Sequence, residues 1–376
     1  MSEIPQCRPL SGRLALDLTQ GIAGPYAGRL LAEHGCRVIK VEPPEGDWIR
    51  QIGSGPGGTS VNFLYYNLGK ESVTLDLKAP AGIAAALAIA ERADVVLESA
   101  RPGVMDRLGL GFEAVKARNS RVIYLSVSGF GLTGPRARDP MTDTVAQAYS
   151  GMMSINKGAD GVPHKIQTTI VDAITGLYAF QAVSMALMAG GPGGGPPRRL
   201  DVSLMQSAAA VMGPKVMEFA HHGFTPATPN APAGSYRTAD GWIAITLVRE
   251  SHFVSMAAAL GRPELSSDPR FATFAARLEN LDALTDIVSD ALAQRTTAEW
   301  LAVFTEKGVL ASPINDFGDW LAEPHVIESG AAPLTPVAPG FDSPTPRTPG
   351  RAPFVAPAPA AGADTDRVLA EFAVKA

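Results

Sequence analysis

The sequence predicts an α/β chain: a mostly parallel, doubly wound sheet followed by a smaller α+β domain. Three observations carry this. Short apolar runs alternate with helix-length segments from residue 14 to about residue 220. Small-residue loops follow several of those runs. The composition then shifts at residues 223–234, which are dense in Pro, Ala and Thr. With 376 residues, 46% apolar and 18% charged, the chain is long enough for a full core and for two domains. The boundaries read as 1–222 for the large domain, 223–330 for the small one, and 331–376 as a segment completing the large domain.

The elements follow in order. Residues 14–18 form a short apolar strand, ending in the small-residue turn 19–25. Residues 26–34 have helical spacing, and Gly35 closes that helix. Residues 38–41 are the next strand, stopping at Glu42. This β-turn-helix-β unit imitates a dinucleotide site. Its glycines, Gly21 and Gly24, are spaced G-x-x-G and followed by Pro25, so the nicotinamide fingerprint is not met. Strands at 72–77, 94–98 and 122–127 alternate with a helix at 80–92 and one starting at 104. The loops 19–25, 99–103 and 128–135 then converge on one sheet edge, where open α/β sheets bind ligands. A helix follows at 144–150. The Gly/Pro loop 189–197 lacks the Lys-Ser/Thr of a P-loop and reads as a turn into strand 200–203. A helix covers 205–220. In the small domain, strands at 241–246 and 308–314 flank helices at 253–260, 278–295 and 297–307. Residues 331–362 read as an extended Pro/Ala-rich strap and 364–374 as a terminal helix.

Composition also excludes functions. The formal charge is −5 and no basic run offers a phosphate footprint, so no nucleic-acid partner is expected. Cys7 and Cys36 make neither a disulfide framework nor a zinc site; no metal is expected, and two free thiols fit a reducing, cytoplasmic setting. Residues 1–9 have no apolar signal-peptide core. Outside the helix that carries Asp172, no uncharged apolar run is long enough for a membrane span, and no membrane partner is expected.

Asp172 is the residue around which the chain is organised. It is the only charge in residues 167–178 and stands at the start of a long apolar run. A carboxylate there meets unpaired helix N–H groups and the positive end of the helix dipole. It reads either as a first-turn capping Asp or as a nucleophile or acid/base group in a dry pocket. Asp143, before the helix at 144–150, reads either as the N-cap of that helix or as a second active-site acid.

These stretches together resemble the class III CoA-transferases, also called the carnitine dehydratase/bile-acid-inducible family. The matching residues include Leu16-Asp17-Leu18 with Ala23-Gly24-Pro25, Glu42 with Gly46-Asp47, and Asn67-Leu68-Gly69-Lys70. Further matches are Leu75-Asp76-Leu77-Lys78, Arg101-Pro102-Gly103 through Arg107-Leu108-Gly109, Ser128-Gly129-Phe130-Gly131, Asp143 with Gln147, Asp172 with Gly176, and Leu200-Asp201-Val202-Ser203. Their order and spacing reach to about residue 330.

The resemblance implies a Rossmann-like CoA-binding large domain in an interlocked-ring homodimer. It implies an acyl-CoA:carboxylate CoA-transferase with an aspartyl nucleophile at Asp172, passing through a mixed anhydride and an aspartyl-CoA thioester. Coenzyme A and its acyl thioester are then substrates, a small carboxylic acid is the acceptor, and no tightly bound cofactor is needed. Helix-start N–H groups would serve the oxyanion. By position, Ile22 and Ala23 touch CoA near the thioester, Leu75 and Lys78 lie on the adenine side, Ser99, Ala100 and Arg101 match a CoA-binding segment, and Arg107 matches an arginine at the CoA nucleotide. Asp143 matches an acid beside the nucleophile. The pattern departs from the family at Ile22, often Gln, and at Ser99-Ala100, more often Asn-Phe. Residues 230–236 keep only Gly234 of a glycine-rich flap. Two other functions stay open: a 2-methylacyl-CoA racemase of the same family, and a non-catalytic CoA-binding protein. Racemases place a His where this chain has Thr142, and Thr cannot act as the second base; His164 is the nearest other candidate.

Overall fold

The computed structural model describes residues 8–158, 160–190, 195–224, 230–351 and 356–372. Residues 191–194 of the Gly/Pro loop, 225–229 of the linker, Cys7, residues 352–355 of the strap and the end of the terminal helix lie outside the described residues.

Two compact units are present: Met1–Met217 with Ser329–Ala376, and Glu218–Glu328. The first is built on six parallel strands: β1 (Leu14–Leu18), β2 (Arg37–Glu42), β3 (Glu71–Thr74), β4 (Val95–Glu98), β5 (Ile123–Ser128) and β6 (Arg198–Ser203). Their order is β3-β2-β1-β4-β5-β6. The chain direction across the sheet reverses between β1 and β4, and the crevice at that switch point is where such sheets bind ligands. Both faces are covered, which is why these strands read as unbroken apolar runs. One face buries Ala15, Val38, Val95, Leu97 and Leu125 under α1 (Ala23–Glu33) and a helix at Ile170–Gly190. The other buries Leu16, Ile39, Val41, Val96 and Tyr124 under α3 (Pro80–Ala90) and the C-terminal helix at Thr365–Glu371, which supplies Val368 and Phe372.

The sheet matches the doubly wound expectation, while several boundaries differ. The first helix begins at Ala23, so residues read as turn are its first turn; Pro25 fits there because the first helical N–H groups have no partner within the helix. Strand β3 stops at Thr74, and residues 75–77 leave the sheet. Three short helices had no clear periodic signal: α2 (Val61–Tyr66), α5 (Phe112–Lys116) and α7 (Met152–Ile155), beside α4 (Val104–Arg107) and α6 (Asp143–Tyr149). The segment read as one helix at 205–220 is two, α9 (Leu204–Val211) and α10 (Gly213–His222), broken where Gly213-Pro214 follows Met212. The helix at Ile170–Gly190 is α8.

Helix α8 is long and apolar enough by length and composition to cross a membrane. Its stripe Val171, Thr175, Ala179, Val183 and Ala186 is buried, and it packs on α1, β5, β6 and α9. Its hydrophobicity therefore belongs partly to a core.

The second unit has the antiparallel sheet β7-β8-β9 (Gly234–Arg237, Trp242–Thr246, Leu310–Pro313). Helices α11 (Glu250–Ala259), α12 (Phe274–Glu279), α13 (Leu281–Leu292) and α14 (Thr297–Lys307) build its core, with Phe253, Phe271, Leu284, Trp300 and Phe304 buried. The segment read as one helix at 278–295 is thus α12 and α13, parted at Asn280. The buried Arg277 guanidinium ties this unit together. It donates to the Ala231 and Phe271 carbonyls, pairs with Glu250, and stacks on Phe253 at 4.3 Å. The strap contributes a hairpin, β10 (Leu334–Ala338) with β11 (Phe341–Pro344).

Candidate active site

The loop after β1 is held from beneath by buried charges. Asp17 points down from β1 and accepts from the Thr19 amide at 2.9 Å and from Lys70 Nζ at 2.8 Å. Lys70 also donates to the Pro25 carbonyl and to Asn67, at 2.7 and 2.8 Å. Lys40 on β2 donates to the Thr19 carbonyl and to Asp47, both at 2.8 Å, and Asp47 accepts from the Gly21 amide at 3.2 Å. All four side chains are fully buried. Burial opposes the charge on Asp17, yet Lys70 and Lys40 outweigh it and hold its carboxyl below the usual range. Burial lowers Lys70 to about 8 despite Asp17. These residues belong to the matched stretches, but nothing in the sequence showed that they pair. Removing one partner would leave an uncompensated buried charge. Their effect is to fix residues 19–24 over the carboxyl ends of the strands.

Above this platform is a cavity of about 860 Å³. Gln20–Gly24 form one wall, and α1 begins there with no side-chain cap, at Ile22. The loops after β3, β4 and β5 contribute Lys78, residues 99–102 and Ser128-Gly129. Ser99 Oγ accepts from the Gln20 amide at 3.0 Å, joining two of these loops. Asp172 lines the same cavity.

Asp172 sits half-buried in the first turn of α8. Burial, and then the neighbouring Asp143 carboxylate, push its carboxyl up to about 7. A group poised there is partly ionised at neutral pH, a pattern typical of functional carboxylates. The approach of α8 to α1 depends on Gly176: a Cβ there would lie 2.8 Å from the Ala23 carbonyl oxygen and 2.8 Å from Tyr26 Cβ.

Asp143 is not the N-cap of its own helix. Thr142 holds that position, and Asp143 is the first helical residue of α6. Its buried carboxylate reaches across to cap α8, accepting from the Val171 amide at 2.7 Å and the Asp172 amide at 3.1 Å. Gln147, one turn along, donates to Asp143 at 2.6 Å and accepts from the Ile166 amide at 2.8 Å. Asp143 thus stands beside Asp172, although it is not among the residues lining the cavity. One consequence corrects the sequence reading. The first-turn amides of α8 expected to serve an oxyanion are already taken, at least at Val171 and Asp172. Only a tertiary contact could show this, since the acceptor comes from 28 residues away.

The other expected residues divide. Ile22, Ala23, Lys78, Ser99, Ala100 and Arg101 line the cavity together with Asp172. Leu75 does not; its side chain is packed in the core, although Asp76 and Leu77 beside it reach the cavity. Arg107 is exposed on α4, outside the lining, with its guanidinium near Gly103. His164 is exposed in a loop near Asp160, outside the lining. Met141 and Leu204 are lining residues that sequence reasoning passed over; an apolar residue there reads as ordinary core. Among the described residues no cluster of metal-ligating side chains is present.

Comparison with known proteins agrees with this geometry. The family model for CoA-transferase family III matches residues 10–365. The chain is 36% identical over 353 residues to an acetyl-CoA:oxalate CoA-transferase of Acetobacter aceti, covering 89% of this chain and 90% of that one. It is 35% identical over 326 residues to a probable fatty acyl-CoA transferase of Mycobacterium tuberculosis, covering 81% and 82%. The crystal structure of a CAIB/BAIF family protein from Brucella suis superposes with a TM-score of 0.86 at 31% identity, covering 98% and 100%. The chain is thus a CoA-transferase acting on CoA thioesters, and it belongs to CoA-transferase family III.

Proposed function

We propose that this protein is an acyl-CoA:carboxylate CoA-transferase whose covalent nucleophile is Asp172. The observation that carries this is a half-buried carboxylate with its pKa near 7, on a helix start, inside the cavity at the switch point of the sheet. An Asp172 oxygen attacks the thioester carbonyl carbon, and the C–S bond breaks with its electron pair leaving on the CoA sulfur. A mixed anhydride forms. The thiolate attacks the Asp172 carbonyl, the released acid departs as carboxylate, and Asp172 carries the CoA thioester. The acceptor carboxylate attacks that thioester, expels thiolate and forms a second anhydride. The thiolate then takes the acceptor's acyl group and frees Asp172. No net proton is exchanged. Each difficult substitution is split into easier ones.

The site supports these steps in three ways. Ionised Asp172 is disfavoured by burial and by Asp143, so covalent acylation relieves the charge. The amides at the uncapped start of α1 are donors for the thioester oxygen at the cavity wall. Lys78 and Arg101, both exposed at the rim, are cations for the CoA phosphates. We place Ser99, Ala100, Asp76 and Leu77, which line the cavity, on the nucleotide side. We further take the large unit as the CoA-binding body and the working form as an interlocked homodimer. Leu177, Met185 and Met188 on the outer face of α8 are exposed apolar side chains that fit burial by a second copy.

The test is peptide mass spectrometry after incubation with acyl-CoA and a hydroxylamine quench. A hydroxamate on Asp172, absent from Asp172→Ala, is the expected result. No adduct, together with deuterium exchange at the α-carbon of a branched acyl-CoA, would move the protein to racemisation.

A further inference from the structure

We infer that the acyl group handled at Asp172 is uncharged and apolar, so that both donor acid and acceptor acid are monocarboxylic. This rests on the covalent transfer reading and names the substrate class of the same site.

Three pieces of the cavity wall are tied directly to α8. Ile22 opens α1, which meets α8 at Gly176 in van der Waals contact. Met141 and Thr142 lead into Asp143, whose carboxylate holds the Asp172 amide. Leu204 opens α9, which packs along α8. Ile22 and Leu204 are nearly fully buried, and neither they nor Met141 offers a polar side-chain atom. Met141 is also pinned. A Cβ on Gly129 would lie 2.5 Å from Met141 Cβ, so the β5 loop presses its backbone against this side chain.

Charge around the cavity points the same way. Among the described lining residues the only Lys or Arg are Lys78 and Arg101. Both are exposed and belong to the loops after β3 and β4, whereas Ile22, Met141, Thr142 and Leu204 line the cavity from the elements that pack on α8, with the Thr142 hydroxyl the one polar side chain among them. A dicarboxylyl thioester such as a succinyl group would bring a second carboxylate against that apolar wall, beside Asp172 and Asp143. An unpaired charge in such a place is strongly disfavoured. A hydrocarbon chain there gains burial. In the exchange, donor acyl group and acceptor acid are joined in turn to the Asp172 carboxyl group through one bridging oxygen, the donor through an oxygen of Asp172 and the acceptor through an oxygen of its own, so both meet the same wall. Its apolar side chains therefore select both.

The experiment compares hexanoyl-CoA with succinyl-CoA as donors for the Asp172 hydroxamate, on the full chain. The expected labelling efficiency favours hexanoyl-CoA by at least about 100-fold, which corresponds to about 2.7 kcal/mol at 1.36 kcal/mol per tenfold. Equal or faster labelling by succinyl-CoA, still on Asp172, would overturn the apolar assignment and leave the transfer reading intact. Labelling by neither, nor by any other acyl-CoA, would instead remove the transfer reading on which the assignment rests. Met141→Arg, checked for folding by circular dichroism, is expected to shift the ratio toward succinyl-CoA by tenfold or more. An unchanged ratio in folded M141R would overturn the placement of Met141 against the acyl chain.

Discussion

Asp172→Asn should make the protein more stable, and increasingly so as the pH rises. In the unfolded chain this carboxyl ionises at its ordinary value of 3.8; in the folded protein burial and Asp143 push it up to about 7. Between these values the folded state holds a proton that the unfolded state lacks. Stability therefore falls as pH rises through the window and levels off above about 7. At 1.36 kcal/mol per pH unit, the full effect on the wild type is about 4 kcal/mol. From pH 5.5 to 8.5 only the part up to pH 7 remains, about 2 kcal/mol. Asn is nearly isosteric and does not ionise, so the variant escapes this loss. The assay is thermal unfolding of both proteins at the two pH values. All other titrating groups are shared and cancel in the difference between them. For a unit of this size the stability gap should widen by about 4–8 °C between pH 5.5 and 8.5. A gap that stays constant or narrows would refute the burial-and-repulsion account of Asp172.

Three further outcomes follow from the contacts. Asp143→Ala leaves the Val171 and Asp172 amides without their acceptor and removes the neighbouring charge; thermal denaturation should show a loss of about 1–3 kcal/mol, and the acid limb of the kcat/KM profile should move to lower pH. Gly176→Ala places a methyl 2.8 Å from the Ala23 carbonyl oxygen and from Tyr26, so α1 must shift from α8; a destabilisation of about 1–3 kcal/mol with a larger relative loss of kcat is expected from melts and steady-state rates. Lys70→Met strands Asp17 as a buried charge at an expected cost of about 3–5 kcal/mol in denaturant unfolding, and adding Asp17→Leu should recover much of it, because the pair is then gone together.

Much of the architecture was legible in the order of residues. The strands of a doubly wound sheet are buried on both faces, so 14–18, 95–98 and 123–128 announce themselves as apolar runs wherever they pack. The run after Asp172 announced α8 in the same way. Short helices such as Val61–Tyr66 left little trace, because six residues hold fewer than two turns of periodicity. The split at Met212 was passed over for a related reason: the apolar pattern continues across it while Gly213-Pro214 restarts the helix.

The sequence by itself determined that a lone carboxylate begins a long apolar helix, that three loops meet at one sheet edge, and that Arg101 belongs to one of those loops. Helical and strand periodicities are local, and a single charge inside an apolar run is visible without coordinates. Only the tertiary structure decided what that carboxylate experiences. The Asp143 cap on α8, the Asp17–Lys70 and Lys40–Asp47 pairs under the first loop, and the apolar wall of Ile22, Met141 and Leu204 join residues separated by 7 to 182 positions. Their pairing depends on how helices and strands stack. The energy of a buried charge is set by the whole of its surroundings and not by its neighbours in the chain.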